Sequence, residues 1–240
     1  MRSFMLVLLL LLSLTGTRAA DAGDARTDLS LVLAVDASGS ISDEEYAFQM
    51  QSIAEALGDP QVREAMRSGP AQKIEVLLMV WGDGEITPDV GRWYTLSSDA
   101  EIDRFVEMVR THPRRAYGNT GIGSAIERAV TLLEERRAVS DRLVINVSGD
   151  GRESVLPRRK RAATVIQTAR KFAEQQDVTI NGLAIETQEP DLADWYRANV
   201  QTGVGSFVVS VKSYQDFASA MRRKLTREIT WQPLVASAAP

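Results

Sequence analysis

The chain has 240 residues, a formal net charge of −4 and no cysteine. It is long enough to bury a sizeable core in a single domain. The lack of cysteine excludes disulfide bonds and thiolate metal sites, and the mild negative charge argues against general binding to nucleic acid. The single histidine, His112, lies in a polar run at 111–115 that predicts a surface loop. Catalysis by a Ser-His-Asp or Cys-His arrangement would have to use this residue, and we expect no enzymatic function.

The first 20 residues have the pattern of a secretory signal peptide. A positive start, Met1-Arg2, precedes an apolar run from Phe4 to Leu14, and small residues with an Ala20-Asp21-Ala22 site follow. Cleavage is expected between residues 19 and 22. A membrane anchor is the alternative, but an apolar run of about 11 residues is short for a bilayer span. We therefore expect an exported protein, periplasmic or secreted, with no stable membrane insertion after cleavage.

An apolar strand at 29–35 comes next, and a polar turn follows it directly. Asp36, Ser38 and Ser40 stand at alternate positions of this turn, and Gly39 lets the chain fold back so that they face one point. Carboxylate and hydroxyl oxygens are hard donors that suit Mg²⁺ or Mn²⁺ better than zinc or copper. The alternative is a polar turn that only caps the helix after it.

Strand and helix patterns then alternate along the chain, which predicts an α/β fold with a mostly parallel sheet. A Ser42–Glu45 capping box opens the first helix, which ends near Gly58. The further strands are predicted at 74–81, 143–147, 178–185 and 206–211, with a short antiparallel edge strand at 93–96. The further helices are predicted at 100–110, from an N-cap at Thr120, and at 162–175, 191–199 and 214–228. We expect one domain at 27–228 and a loose tail at 229–240.

Two later loops carry oxygen donors that complement the first. Thr120 lies in the loop at 118–123, which opens a helix, and Asp150 follows the strand at 143–147. The carboxyl ends of parallel strands lie at one edge of a sheet, so both loops are expected on the same edge as Asp36. Two carboxylates would roughly neutralise a divalent cation, and the hydroxyls would add neutral ligands.

These three segments, in this order, resemble the von Willebrand factor type A (vWA) family and its metal-ion-dependent adhesion site. The resemblance covers most of the mature chain, roughly residues 27–228, and implies a Rossmann-like fold, with helices on both faces of the sheet. It assigns the metal ligands to Asp36, Ser38, Ser40, Thr120 and Asp150. One departure is local, because the family often has Thr-Asp-Gly where this chain has Gly149-Asp150-Gly151. The segments 195–200 and 203–209 resemble a subgroup of secreted bacterial vWA proteins of unassigned function.

The resemblance implies a divalent-cation-dependent protein-binding module. Mg²⁺ or Mn²⁺ would coordinate an Asp or Glu carboxylate of a partner protein. Two other functions remain open: a structural or assembly domain in which the metal only braces the loops, and, less favoured, a Mg²⁺-dependent hydrolase. A basic run at 158–161 is either a solvated helix start or a basic rim that attracts an acidic partner.

Overall fold

The computed structural model describes residues 26–154 and 164–231. The predicted signal peptide, the basic run at 158–161 and the tail beyond 231 lie outside these residues. The described chain forms one mixed sheet with strand order β3-β2-β1-β5-β6-β7, in which β4 also pairs with β2. The strands are β1 (Ser30–Asp36), β2 (Ile74–Trp81), β3 (Asp89–Val90), β4 (Tyr94–Leu96), β5 (Leu143–Gly149), β6 (Thr179–Ile185) and β7 (Val208–Val211).

The sheet is parallel except at the β2 edge, which confirms the predicted α/β class. β3 and β4 are antiparallel to β2 and pair with its two ends. The sequence predicted only the second of these short strands. A two-residue strand such as β3 is too short to show any hydrophobic alternation, so no local pattern announces it.

Helices cover both faces of the sheet, as expected. They are α1 (Asp43–Gly58), α2 (Pro60–Met66), α3 (Asp99–Arg110), α4 (Ile122–Glu134), α5 (Ile166–Gln175), α6 (Leu192–Asn199), a 3₁₀ turn (Tyr214–Asp216) and α7 (Phe217–Ile229). Side chains of α1, α2, α3 and α7 share one core, and those of α4, α5 and α6 share the other. Alternate side chains of β1 enter the two cores: Leu31 and Leu33 pack on the α1 side, and Val32 and Ala34 on the α4 side.

Side-chain caps mark the starts of α1, α2 and α3. The predicted capping box is present at α1, where Ser42 and Glu45 each accept from the backbone of the other. Helix α2 was not predicted, although Asp59 caps it and Pro60 is its first residue. The last helix begins as a 3₁₀ turn and becomes α-helical at Phe217. Within the described ranges, no helix has the length and apolar character needed to cross a bilayer.

The strand order reverses at β1. Its neighbours are β2 on one side and β5 on the other, and all three run parallel. Ligands of open α/β sheets bind at the carboxyl edge where this reversal leaves a crevice. The loops after β1 and β5 meet at that point.

Candidate metal centre

The turn after β1 is held in place by backbone hydrogen bonds to the end of β2 and to the loop before α4. The Ala37 N–H donates to the Trp81 carbonyl at 2.8 Å, and the Gly39 N–H donates to the Gly118 carbonyl at 2.7 Å. A Cβ on Gly39 would lie 3.2 Å from that same carbonyl oxygen, so this close approach favours glycine. Within the turn, the Ser38 N–H donates to Asp36 Oδ1 at 2.7 Å, which fixes one carboxylate oxygen.

The side chain of Arg114 binds the backbone of this turn. Its guanidinium donates to the carbonyls of Ala37 and Ser38, both at 3.0 Å, and to Asp43 Oδ1 at 2.7 Å. The planar fork of an arginine can hold several acceptors at once, so one side chain fixes the turn against the start of α1. Sequence reasoning missed this residue, because nothing near position 114 indicates that it reaches a turn more than 70 residues earlier.

Thr120 lies beside this turn. The sequence predicted that it would be the N-cap of α4, but the structure places the cap at another residue. The cap position is Gly121, which makes no side-chain cap hydrogen bond. The backbone of Thr120 is instead paired with Ser154, whose Oγ accepts from the Thr120 N–H at 2.8 Å and whose N–H donates to the Thr120 carbonyl. The Thr120 hydroxyl is therefore free to turn inward, where its Oγ1 lies 3.4 Å from Ser38 Oγ.

Asp150 completes the cluster from the neighbouring strand. Val35 of β1 pairs with Ser148 of β5, so the residues that follow them lie side by side. Ser40 Oγ donates to Asp150 Oδ1 at 2.6 Å and lies 3.4 Å from Ser38 Oγ. The structure thus brings together all five residues singled out in the sequence: Asp36, Ser38, Ser40, Thr120 and Asp150.

The cluster is buried except on one side. Asp36, Ser38 and Asp150 are at most 1% exposed and Thr120 is 7% exposed, whereas Ser40 is exposed to solvent. Asp36 Oδ2 and Asp150 Oδ2 are buried and have no hydrogen-bond partner among the described residues. Unpaired buried carboxylate oxygens are costly unless a cation or a donor satisfies them. Two such oxygens beside three hydroxyls fit the donor set of a Mg²⁺ or Mn²⁺ ion.

Burial and mutual repulsion oppose ionisation of the two carboxyl groups. Burial raises the pKa of Asp36 from 3.8 to about 7, and the nearby charge of Asp150 also raises it, against an opposing hydrogen bond from the Ser38 backbone. Burial likewise raises the pKa of Asp150, while the hydrogen bond from Ser40 lowers it. A divalent cation would reverse the balance, because it favours the ionised form of both groups.

Gly149 leaves space beside two oxygens that have no hydrogen-bond partner among the described residues, Asp36 Oδ2 and the hydroxyl of Tyr196. A Cβ at this position would lie 2.7 Å from Asp36 Oδ2 and 2.8 Å from the hydroxyl of Tyr196 on α6. Only a glycine leaves this space open without displacing one of the two oxygens. Tyr196 is fully buried, and no sequence pattern indicated that its hydroxyl lies at the cluster.

The histidine lies elsewhere. His112 Nε2 is 3.1 Å from Asp89 Oδ2 on β3, and only 11% of its side chain is exposed. His112 lies in the predicted loop after α3, where its partly buried ring pairs with Asp89 of β3. In the ranges that the structure describes, no three His, Cys, Asp or Glu residues group as a metal-binding set. The candidate centre accordingly consists of two carboxylates and three hydroxyls.

Solved structures with a similar fold include a pilus adhesin, the vWF domain of a pili tip protein and a manganese-loaded protein. The pilus adhesin SpaC from Lactobacillus rhamnosus GG is 10% identical, with a TM-score of 0.58 over 85% of this chain and 30% of that chain. The vWF domain of the type V pili tip protein Mfa5 from Porphyromonas gingivalis is 11% identical, with a TM-score of 0.55 over 86% and 98%. Manganese-loaded TRAP protein of Plasmodium vivax is 15% identical, with a TM-score of 0.50 over 84% and 74%.

These likenesses show that the fold is of the vWA type. The chain spans less than a third of SpaC, so it corresponds to one part of that protein. A comparison with curated proteins gave no match. The model of the family described as Protein of unknown function (DUF1194) matches residues 26–233, so the chain belongs to that family.

Proposed function

We propose that this chain is an exported interaction module that binds a protein partner through a divalent cation. Asp36, Ser38, Ser40, Thr120 and Asp150 would hold Mg²⁺ or Mn²⁺. The observation that carries the proposal is the convergence of these five oxygen donors at the switch point of the sheet, with two buried carboxylate oxygens left unpaired.

The donor set suits an adhesive role better than a hydrolytic one. A bound ion would supply an electrophilic position that accepts a carboxylate of the partner. Ser40, the exposed member, marks the side from which such a group can approach. Asp36 and Asp150 are committed to charge balance, and His112 pairs with Asp89, so neither carboxylate nor imidazole stands ready as a general base.

The comparisons support an adhesive module and a bound metal by analogy of fold. One neighbour is an adhesin, one is a pilus tip protein and one was solved with manganese. The signal-peptide pattern at 1–20 favours export to the periplasm or secretion from the cell. We infer a vWA domain at 27–228 followed by a tail at 229–240. Helix α7 ends at Ile229, one residue past the inferred limit.

Thermal unfolding tests the metal site directly. The purified chain would be compared in EDTA and with Mg²⁺ or Mn²⁺, beside Asp36→Ala and Asp150→Ala. A ligand that binds only the folded state at a hundredfold excess over its Kd adds about 2.7 kcal/mol to stability. We expect this gain in the parent chain and its loss in both variants. The matched control Asp194→Ala removes an exposed carboxylate on α6 and should keep the gain.

Acetate, the simplest carboxylate, tests the role of the ion. When the protein is loaded with Mn²⁺, binding of acetate at the metal should broaden its methyl proton signal, and acetamide should be affected far less. Asp36→Ala should abolish the broadening. Metal-dependent stabilisation without any effect on acetate would instead favour an ion that only braces the loops. Undiminished metal affinity in both aspartate variants would refute the site itself.

A further inference from the structure

Tyr196 is a fully buried polar side chain beside the candidate centre. It lies on α6, is 0% exposed, and packs in the core on the α4 side of the sheet. Gly182 on β6 makes room for its ring, because a Cβ there would lie 2.8 Å from Tyr196 Cδ1. Trp195 lies edge-on to the ring at a centroid distance of 5.8 Å. The ring is thus held by its surroundings, and its hydroxyl has a fixed position.

That hydroxyl has no hydrogen-bond partner among the described residues. It faces Asp36 Oδ2 across the space above Gly149, since a Cβ on this glycine would lie within 2.8 Å of both oxygens. Asp36 Oδ2 is also buried and unpaired, whereas Oδ1 is fixed by the Ser38 N–H. One potential donor and one acceptor therefore border the same small space.

We propose that Tyr196 is a positioning residue for the metal centre, and that its hydroxyl donates to Asp36 Oδ2 directly or through one water molecule. The hydrogen bond would hold the carboxylate plane in the orientation that Ser38 sets from the other side. This inference rests on the proposed function, and it adds a residue that the five-residue motif does not contain.

The chemistry favours this role over simple packing. A tyrosine keeps its proton at neutral pH, so it can donate to an ionised carboxylate. Carboxylates that bind metals are themselves hydrogen-bonded by outer residues, which orient them and tune the affinity for the ion. Packing alone would be served by phenylalanine, which fills the same volume without burying an unpaired hydroxyl.

Tyr196→Phe isolates the hydroxyl, because the ring and its packing are kept. We expect the Kd for Mg²⁺, measured by titration calorimetry on the full chain, to rise about tenfold or more. The melting temperature in EDTA should change little, since the ring packing is kept and the hydroxyl has no direct hydrogen bond to a described residue. Tyr94→Phe is the matched control: Tyr94 lies on β4, beside Arg92, and its variant should keep the parent Kd.

A spectroscopic measurement distinguishes positioning from packing. Tyrosines labelled with ¹³C at ring Cζ report on their own hydroxyls, and the chain has five tyrosines. Addition of Mg²⁺ should shift the signal that is missing in Tyr196→Phe, while the signal of Tyr94 stays unchanged. A hydroxyl that serves only packing would not respond to the ion.

Three results would overturn the inference. A Tyr196→Phe variant with the Mg²⁺ affinity of the parent chain removes the role of the hydroxyl, although the metal site itself would stand. An unchanged Cζ signal on Mg²⁺ addition does the same. Absence of Mg²⁺ binding in the parent chain would refute the proposed function and this inference together, so the two failures are distinguishable.

Discussion

Replacement of Asp36 by asparagine is expected to stabilise the metal-free protein at neutral pH while abolishing its response to metal. Asp36 is fully buried, and burial together with the charge of Asp150 raises its pKa to about 7. A carboxyl group with a raised pKa binds its proton more tightly in the folded state than in the unfolded chain. Ionisation at neutral pH therefore opposes folding. Asparagine has nearly the same shape and carries no charge.

The magnitude follows from the size of the shift. One pKa unit corresponds to about 1.4 kcal/mol, so a rise from 3.8 to about 7 reduces the stability of the folded state by about 4 kcal/mol well above pH 7. The penalty is absent below the unfolded pKa of 3.8 and grows as the pH rises from about 4 to about 7. The stability of the metal-free parent chain should fall across that window because of this group. The asparagine variant lacks this dependence.

Urea unfolding in EDTA measures the effect. Asp36→Asn should exceed the parent chain by about 4 kcal/mol at pH 8 and by only about 1 kcal/mol at pH 4.5. Asp194→Asn, an exposed carboxylate on α6, should show no such gain at either pH. Addition of Mg²⁺ should stabilise the parent chain and leave Asp36→Asn unchanged. A variant that is no more stable than the parent at pH 8, or a gain independent of pH, would refute the reasoning.

Three further predictions test other parts of the structure. Lys224→Met leaves the fully buried Glu228 side chain without its cation and should lower the free energy of unfolding by about 3–5 kcal/mol in the same urea assay. The double variant that also carries Glu228→Gln should recover most of this loss. Gly149→Ala places a methyl group 2.7 Å from Asp36 Oδ2, so calorimetry should detect weaker Mg²⁺ binding, and parent-like affinity would contradict the geometry. Ser42→Ala breaks the capping box of α1 and should lower stability by about 1 kcal/mol, measured by chemical unfolding, without changing the Kd for Mg²⁺.

The sheet and the motif loops could be predicted from the sequence because their signals are local. Each parallel strand is a short apolar run that ends at a polar or glycine-containing turn, and the run itself predicts a strand buried on both faces. Asp36 and Asp150 follow two such runs directly, and this alone places them at one edge of the sheet. The sequence does not tell which strands are neighbours, whereas the pairing of β1 with β5 brings the two carboxylates together.

Elements without periodicity escaped prediction. Helix α2 has only seven residues, too few for its apolar face to be read from spacing, although Asp59 and Pro60 mark its start. The prediction of Thr120 as an N-cap was wrong for a different reason. A hydroxyl before a helix is usually a cap, but Ser154 holds the Thr120 backbone and leaves its side chain free for the cluster.

Supporting contacts around the centre could not be predicted either, because they join distant parts of the chain. Arg114 reaches the turn after β1, and Tyr196 reaches Gly149 from α6, which packs on the α4 side of the sheet. An arginine in a polar loop and an aromatic pair in a helix have ordinary interpretations, as solvated charge and core packing. Only the folded topology shows that both border the same cluster.

The location of the cluster explains how the chain can retain two unfavourable carboxylates. β1 and β5 are central strands and are buried along their whole length, so the backbone beneath Asp36 and Asp150 cannot relax to expose them. The turn above is fixed by Trp81, Gly118 and Arg114, which leaves rotation of the side chains as the remaining freedom. In a mobile loop, repulsion between the two carboxylates would move the chain apart, whereas here the sheet holds the backbone of both residues in place. A cation that enters such a site gains from charges already assembled, and little ordering of the protein is needed to bind it.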